Sequence, residues 1–327
     1  MKKYFYILFI FCFSFTLFAQ KATEKKANAL FEKRSYVKAA EMYEQLKESQ
    51  VILQNLGDCY YNNSQMIDAV RVYGKLFLSY KDSVAPEYYF KYAHSLLGTA
   101  DYTKADNIMG EYLKYEISTP KFIANLVTNV PYNYEIQLMS KNTTNGDFGM
   151  SFYGDKVAFA SLRNSESKSF GWNDKPYLDL FSANVSDKGL LANVEPFPKE
   201  INTKTHESSA TFSADGRIMY FNRTNDKKVK IGDEKIAVIK IFKAEFIDGK
   251  WSNVKELPFC SDIYSTEHPV LSKDGKKLYF SSDMPGTLGS FDIFVVDVNE
   301  DGTFGEPQNL GKAVNTIHRE QFPFISD

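Results

Sequence analysis

Four histidines are the candidate general bases of this chain: His94, His206, His268 and His318. A hydrolase of the Ser-His-Asp type needs such a base beside an activated nucleophile. The Gly-x-Ser-x-Gly elbow that presents a nucleophilic serine does not occur in the sequence. His94 falls in a stretch with helical periodicity. The other three stand in similar segments that lead into strand-like runs, and a residue that recurs with a repeat points to packing rather than catalysis. His206-Glu207 and Glu267-His268 are adjacent pairs. Neighbouring side chains on a strand point to opposite faces, so neither pair closes on a metal by itself. Asp283 and Asp292 flank the turn "DMPGTLGSFD". Two carboxylates there could hold calcium, but short acidic side chains in turns ordinarily accept from the turn's own N–H groups, and that is the expectation. No Gly-rich phosphate cradle follows a strand and opens a helix. The expectation is a protein that is not an enzyme, with no catalytic, metal or cofactor residue and no binding residue that sequence alone can name.

The elements that would carry these residues begin after a leader. The chain opens MKKYFYILFIFCFSFTLFAQ, with Lys2 and Lys3 before an apolar run from Tyr4 to Phe18. This is the pattern of a secretory signal peptide, with cleavage expected after Ala19. The run is short of the ~20 residues a membrane-spanning helix needs. Cys12 sits in mid-run and not after a lipoprotein box. The protein is therefore expected outside the cytoplasm, in the periplasm. Lys and Arg number 39 against 41 Asp and Glu, and losing Lys2 and Lys3 with the leader widens the acidic excess from two to four. Such a balance argues against nucleic acid, whose binding needs many cations on phosphates. Cys59 and Cys260 remain in regions of different character and are expected as two buried thiols without a disulfide.

From Lys21 to Tyr115 apolar residues recur three and four apart, the helical interval. A longer spacing recurs within that region. A small residue is followed three later by Leu or Tyr, nine further on by Ala, and four after that by a large apolar residue. It reads Ala27, Leu30, Ala39, Tyr43; then Gly57, Tyr60, Ala69, Tyr73; then Ala93, Leu96, Ala105, Met109. The small residues suit places where two helices cross closely. Turns are expected at "KRSY", "NNSQ" and "GTAD". Successive Ala steps of 30 and 36 residues bracket the tetratricopeptide period of about 34, so three stacked helix pairs are expected over 20–116. Pro86–Leu97, "PEYYFKYAHSLL", is a candidate groove lining, with core packing as the plainer reading of its tyrosines. A capping helix and linker are expected over 117–133.

Beyond Tyr134 short apolar runs alternate with Gly, Asp, Asn and Ser, the pattern of strands and hairpins. "KVAF", "IMYF" and "KLYF" end on Phe159, Phe221 and Phe280, which lie 62 and 59 residues apart. "DLF", "KIF" and "DIF" follow each in turn, and then "GLLANVEPF", "GKWSNVKELPF" and "GTFGEPQNL". Each unit thus holds about four strands, as in the blades of a β-propeller. Asp215-Gly216 and Asp274-Gly275 supply the positive φ of a tight hairpin. Arg319–Asp327 repeats the run-in of the third unit, with Pro323 matching Pro269 and Ser326 matching Ser272. The expectation over 134–327 is about three blades and the start of another, as in a piece of a longer protein.

"INTKTHESSATFSADGRIMYF", "GKWSNVKELPF" and "EHPVLSKDGKKLYFSSDMPGTLGSFDIF" resemble OmpA-family, outer-membrane-associated proteins with N-terminal tetratricopeptide repeats and a WD-repeat-like, TolB-type propeller. The resemblance spans nearly all of the chain after the leader. It implies a non-enzymatic scaffold that docks outer-membrane or periplasmic proteins of an envelope machine, of which type IX secretion and gliding are examples. In such proteins peptidoglycan is held by a C-terminal OmpA-type domain that these residues do not contain. The alternative from a different class is the propeller module of a secreted hydrolase or sugar-binding protein whose catalytic part lies downstream.

Overall fold

The computed structural model describes residues 21–129, 138–186, 188–232 and 234–326. The predicted leader, 1–19, lies outside them, as does the predicted linker from residue 130. The described residues fall into two compact units, one of helices together with Ser169–Asp174 and one of strands.

The helical unit contains α1 (residues 21–32), α2 (Tyr36–Tyr43), α3 (Gln50–Asn62), α4 (Met66–Tyr80), α5 (Pro86–Gly98), α6 (Tyr102–Leu113) and α7 (Thr119–Asn129). Three of its turns share one backbone conformation. Arg34, Ser64 and Ala100 take φ of 56°, 56° and 60°, and Ser35, Gln65 and Asp101 follow at φ near −84° and ψ 66°. In each turn the next N–H reaches back five residues, from Ser35 to Leu30 O, Gln65 to Tyr60 O and Asp101 to Leu96 O. That bond satisfies a carbonyl left over at the helix end. Leu30, Tyr60 and Leu96 are the second position of the sequence repeat, so the spacing and the turn coincide.

The small positions lie where helices cross. Ala27, Ala39, Ala69, Ala93 and Ala105 are buried in one core with Tyr43 and Tyr73. A Cβ on Gly57 would stand 2.3 Å from the Tyr73 ring, so only glycine fits. Ser118 N-caps α7, its hydroxyl oxygen accepting from Lys121 N, and the Thr119 N–H and hydroxyl both donate to Asp106 of α6.

The β unit holds three four-stranded antiparallel sheets in series. The first is β1 (Asp147–Tyr153), β2 (Lys156–Ser161), β3 (Asp179–Val185) and β4 (Leu191–Pro196), hydrogen-bonded in chain order. The second is β5 (Glu207–Phe212), β6 (Ile218–Thr224), β9 (Ile239–Ile247) and β10 (Lys250–Glu256), interrupted by a separate hairpin of β7 (Val229–Ile231) and β8 (Glu234–Ile236). The third is β11 (Thr266–Leu271), β12 (Lys277–Ser282), β13 (Asp292–Asp297) and β14 (Gln308–Asn309). The phenylalanines of the sequence repeat face one another across strands: Phe159 opposite Phe181, Phe221 opposite Phe242 and Phe280 opposite Phe294.

The second sheet is apolar on both faces because it packs between the other two. Met219 and Phe221 meet Ala158, Ala160 and Leu180 of the first sheet. Tyr220, one residue away, faces Leu278 and Phe280 of the third. The first strands β1, β5 and β11 lie side by side, and each carries a β-bulge with one residue at positive φ: Gly149, Ser209 and His268. Phe322, in the run-in repeated after β14, takes the same conformation at φ 55°. The sheets are blade-like in order and packing. Among the described residues the β7–β8 hairpin has no counterpart in the other two sheets.

Candidate functional site

On the helical unit, residues of α3 and α5 spaced 36 apart form one surface stripe. Asp58 corresponds to His94, Gln54 to Phe90 and Tyr61 to Leu97. The Tyr61 hydroxyl lies 2.8 Å from His94 Nδ1, and the Phe90 ring stacks on the same imidazole at 5.6 Å. Phe90 and the nearby Val51 are each 57% exposed. Asp58 is buried, accepting from the Tyr73 hydroxyl at 2.7 Å and from Lys91 Nζ at 2.8 Å. Burial, then the Asp58 charge, push the Tyr73 phenol far above its usual range. Of the tyrosines in Pro86–Leu97, Tyr88 and Tyr92 are core residues and Tyr89 stacks on Tyr112. Beyond its first turn, the exposed side chains of that helix are Phe90, His94 and Leu97. The periodicity located the helix, but which face stays open depends on the packing of α4 and α6.

Ser169–Asp174 occupies a second place on the same unit. The Trp172 ring meets Tyr36 edge-on, with centroids 4.9 Å apart and planes at 90°. Its Nε1 donates to the Asn62 carbonyl at 3.2 Å, a carbonyl that the end of α3 leaves without an intrahelical partner. Asp174 lies 3.3 Å from Lys38 Nζ.

In the β unit a short motif recurs that sequence reading overlooked. Asn142-Thr143, Asn202-Thr203 and Asn315-Thr316 each precede an acid by four residues from the threonine, namely Asp147, Glu207 and Glu320. In all three the threonine N–H and hydroxyl both donate to that carboxylate. Arg163 and Arg223, each sixteen residues after the acid, pair with Asp147 and Glu207. Burial pushes Glu207 up to about 7, against the pull of Thr203 and Arg223. In the third sheet the position sixteen after Glu267 is Asp283, and the cation near Glu267 is Arg319, 3.6 Å away.

The three strand-leading histidines do not share a place. They fall one before Glu207, one after Glu267 and two before Glu320. His206 Nδ1 accepts from Leu178 N. His268 Nδ1 lies 3.1 Å from Ser209 Oγ, and its Nε2 lies 3.7 Å from Glu267. A serine, a histidine and an acid thus meet, but the carboxylate stands beyond hydrogen-bond reach. Burial, then Arg319, hold the imidazole down to about 4, which makes it a weak base at neutral pH. Asp292 accepts from Leu288 N and Gly289 N of its turn and from Asn309, while Asp283 accepts from Ser265 N. Among the described residues no three His, Cys, Asp or Glu side chains converge as metal ligands, and no helix is long and apolar enough to cross a membrane. Cys59 is buried with its thiol pushed up to about 12 by burial. Cys260 Sγ lies 3.0 Å from Thr266 Oγ1.

No protein-family model and no curated protein matches the chain. Among solved structures it is similar to a protein assigned as a TolB from Agrobacterium tumefaciens, at 22% identity and a TM-score of 0.33, over 53% of this chain and 51% of that one. It is also similar to the periplasmic gluconolactonase PpgL of Pseudomonas aeruginosa, at 20% identity and TM-score 0.28, over 40% and 34% of the two chains. A prolyl endopeptidase matches at 16% identity and TM-score 0.31, over 52% of this chain and 22% of its own. The chain thus spans about half of the first of these proteins and less of the others.

Proposed function

We propose that this protein is a non-enzymatic scaffold of the cell envelope, in which tetratricopeptide-type helix pairs dock a protein partner and a propeller-type β unit follows them in the chain. The reading rests on the stripe of Tyr61, Phe90, His94 and Leu97. Aromatic and apolar side chains of successive helix pairs stay in solvent there, with the Tyr61 hydroxyl 2.8 Å from His94 Nδ1. Large solvent-facing aromatics on a rigid element are the usual anchors of protein interfaces. The leader pattern and the OmpA-family resemblance support the periplasm, in association with the outer membrane, as the place of action.

The test is a photoreactive side chain placed at Phe90 in the full-length protein in its own cells. The expected result is a discrete adduct with a periplasmic or outer-membrane protein, lost when His94→Glu is added and absent when the probe stands at Ile67, an exposed residue on α4. Failure to obtain an adduct at Phe90, together with hydrolysis of an ester or peptide by the purified protein, would favour the alternative, a propeller module of a hydrolase.

A further inference from the structure

The place taken by Trp172 has the features of a recognition site. Its aromatic wall is Tyr36, its hydrogen-bond acceptor is the Asn62 carbonyl, and its cation is Lys38. Gly171 passes close to Ser35, whose Oγ would stand 3.3 Å from a Cβ there. Each feature matches one group of the occupant: indole face, indole N–H, and the Asp174 carboxylate two residues on.

The next helix pair differs at this place. Asn62 corresponds to Gly98, and Tyr36 to Met66. At that junction the Met66 side chain fills the space itself, so that a Cβ on Gly98 would lie 2.8 Å from Met66 Cγ. The first junction is open to an incoming ring, and the second is closed from within.

The occupant lies at the surface of the helical unit. The Lys38–Asp174 side chains are 55% and 39% exposed, and exposed ion pairs contribute little. Trp172 is half-buried and not sealed in the core. We propose that Ser35, Tyr36, Lys38 and Asn62 form a binding site for a Trp-x-acid segment, occupied in cis by Trp172 and Asp174, and that a partner segment of the same chemistry takes it when they leave. The site is separate from the Phe90–His94 stripe, so either can fail without the other.

The experiment uses the full chain carrying Trp172→Ala and Asp174→Ala, and a fluorescent peptide of residues 168–175 followed by anisotropy. A cis occupant lowers apparent affinity by the fraction of time the site is open, so the double variant should bind the peptide roughly tenfold or more tightly than the parent. Replacing Trp by Ala in the peptide should abolish binding, and adding Lys38→Glu should weaken it. Equal affinity for parent and variant, or no binding to a folded variant, overturns the proposal. If the double variant does not fold, hydrogen exchange of 169–174 in the parent decides. Excess peptide must accelerate exchange there, and unchanged protection means that Trp172 is only a structural clasp.

Discussion

Asn202 closes on Leu180 with both ends of its amide. Its Oδ1 accepts from Leu180 N at 2.8 Å, and its Nδ2 donates to Leu180 O at 2.9 Å. Asn315 does the same to Ile293, at 2.8 and 3.0 Å. Between them, Cys260 occupies that place against Ile241, with longer sulfur contacts of 3.4 and 3.5 Å. Each lead-in is thereby pinned to the third strand of the sheet before it, twice by an amide and once by a thiol.

Removing an amide pin should cost more than removing the thiol. Asn202→Ala leaves the Leu180 N–H unpaired, while the Leu180 carbonyl still accepts from Phe197 N, a loss of about 1–3 kcal/mol. Cys260→Ala should cost less, because sulfur is a weak donor and acceptor. Urea denaturation of the two variants beside the parent checks the order. Equal losses would mean that the pins do not matter.

Two buried histidines should make the β unit acid-sensitive. Burial holds His206 and His268 down to about 4 from an ordinary 6.5. Between those values the unfolded chain binds more protons than the folded one, so stability falls as pH drops from about 6.5 towards 4. Glu207, raised by burial, pulls the other way, so the informative quantity is the difference between variant and parent. His268→Asn should flatten the slope of melting temperature over that range and leave it unchanged above pH 7.

Gly57 and Gly98 both lack room for a Cβ, but their neighbours differ. At Gly57 the obstacle is the Tyr73 ring, fixed by its bond to Asp58. At Gly98 it is the flexible Met66 side chain. Gly57→Ala should therefore destabilise the helices by about 1–3 kcal/mol, as overpacking does, and Gly98→Ala by much less. Ala105→Leu, at a buried helix crossing, should resemble Gly57→Ala. Thermal melts followed by circular dichroism at helical wavelengths measure all three. A Gly57→Ala protein that melts like the parent would place the crossing elsewhere.

The Ser209–His268 contact gives the enzymatic alternative a specific test. With the imidazole held near 4 and Glu267 out of reach, neither the parent nor Ser209→Ala should cleave nitrophenyl esters or proline peptides faster than buffer alone. Activity in the parent that vanishes in Ser209→Ala would sink the scaffold reading.

Much of this architecture was legible from residue order. Ala39, Ala69 and Ala105, nine after Leu30, Tyr60 and Leu96, marked both the crossings and the turns. Phe159, Phe221 and Phe280 marked the second strand of each sheet. These signals are local: a turn needs its positive φ, and a crossing its small residue, wherever the chain goes next. The β7–β8 hairpin escaped notice because an insertion has no partner copy to match. The Asn-Thr motif escaped because its members are polar and sparse, and the lead-in to the third sheet carries Cys260 instead.

Side-chain volume and turn chemistry, repeated at two intervals, determined two kinds of element and their order along the chain. Tertiary structure decided which polar atoms meet. Trp172 Nε1 finds a carbonyl 110 residues away, and Asn315 finds Ile293 across a sheet edge. Such pairs depend on how whole elements stack, and stacking is set by summed contacts over many residues rather than by any spacing within one.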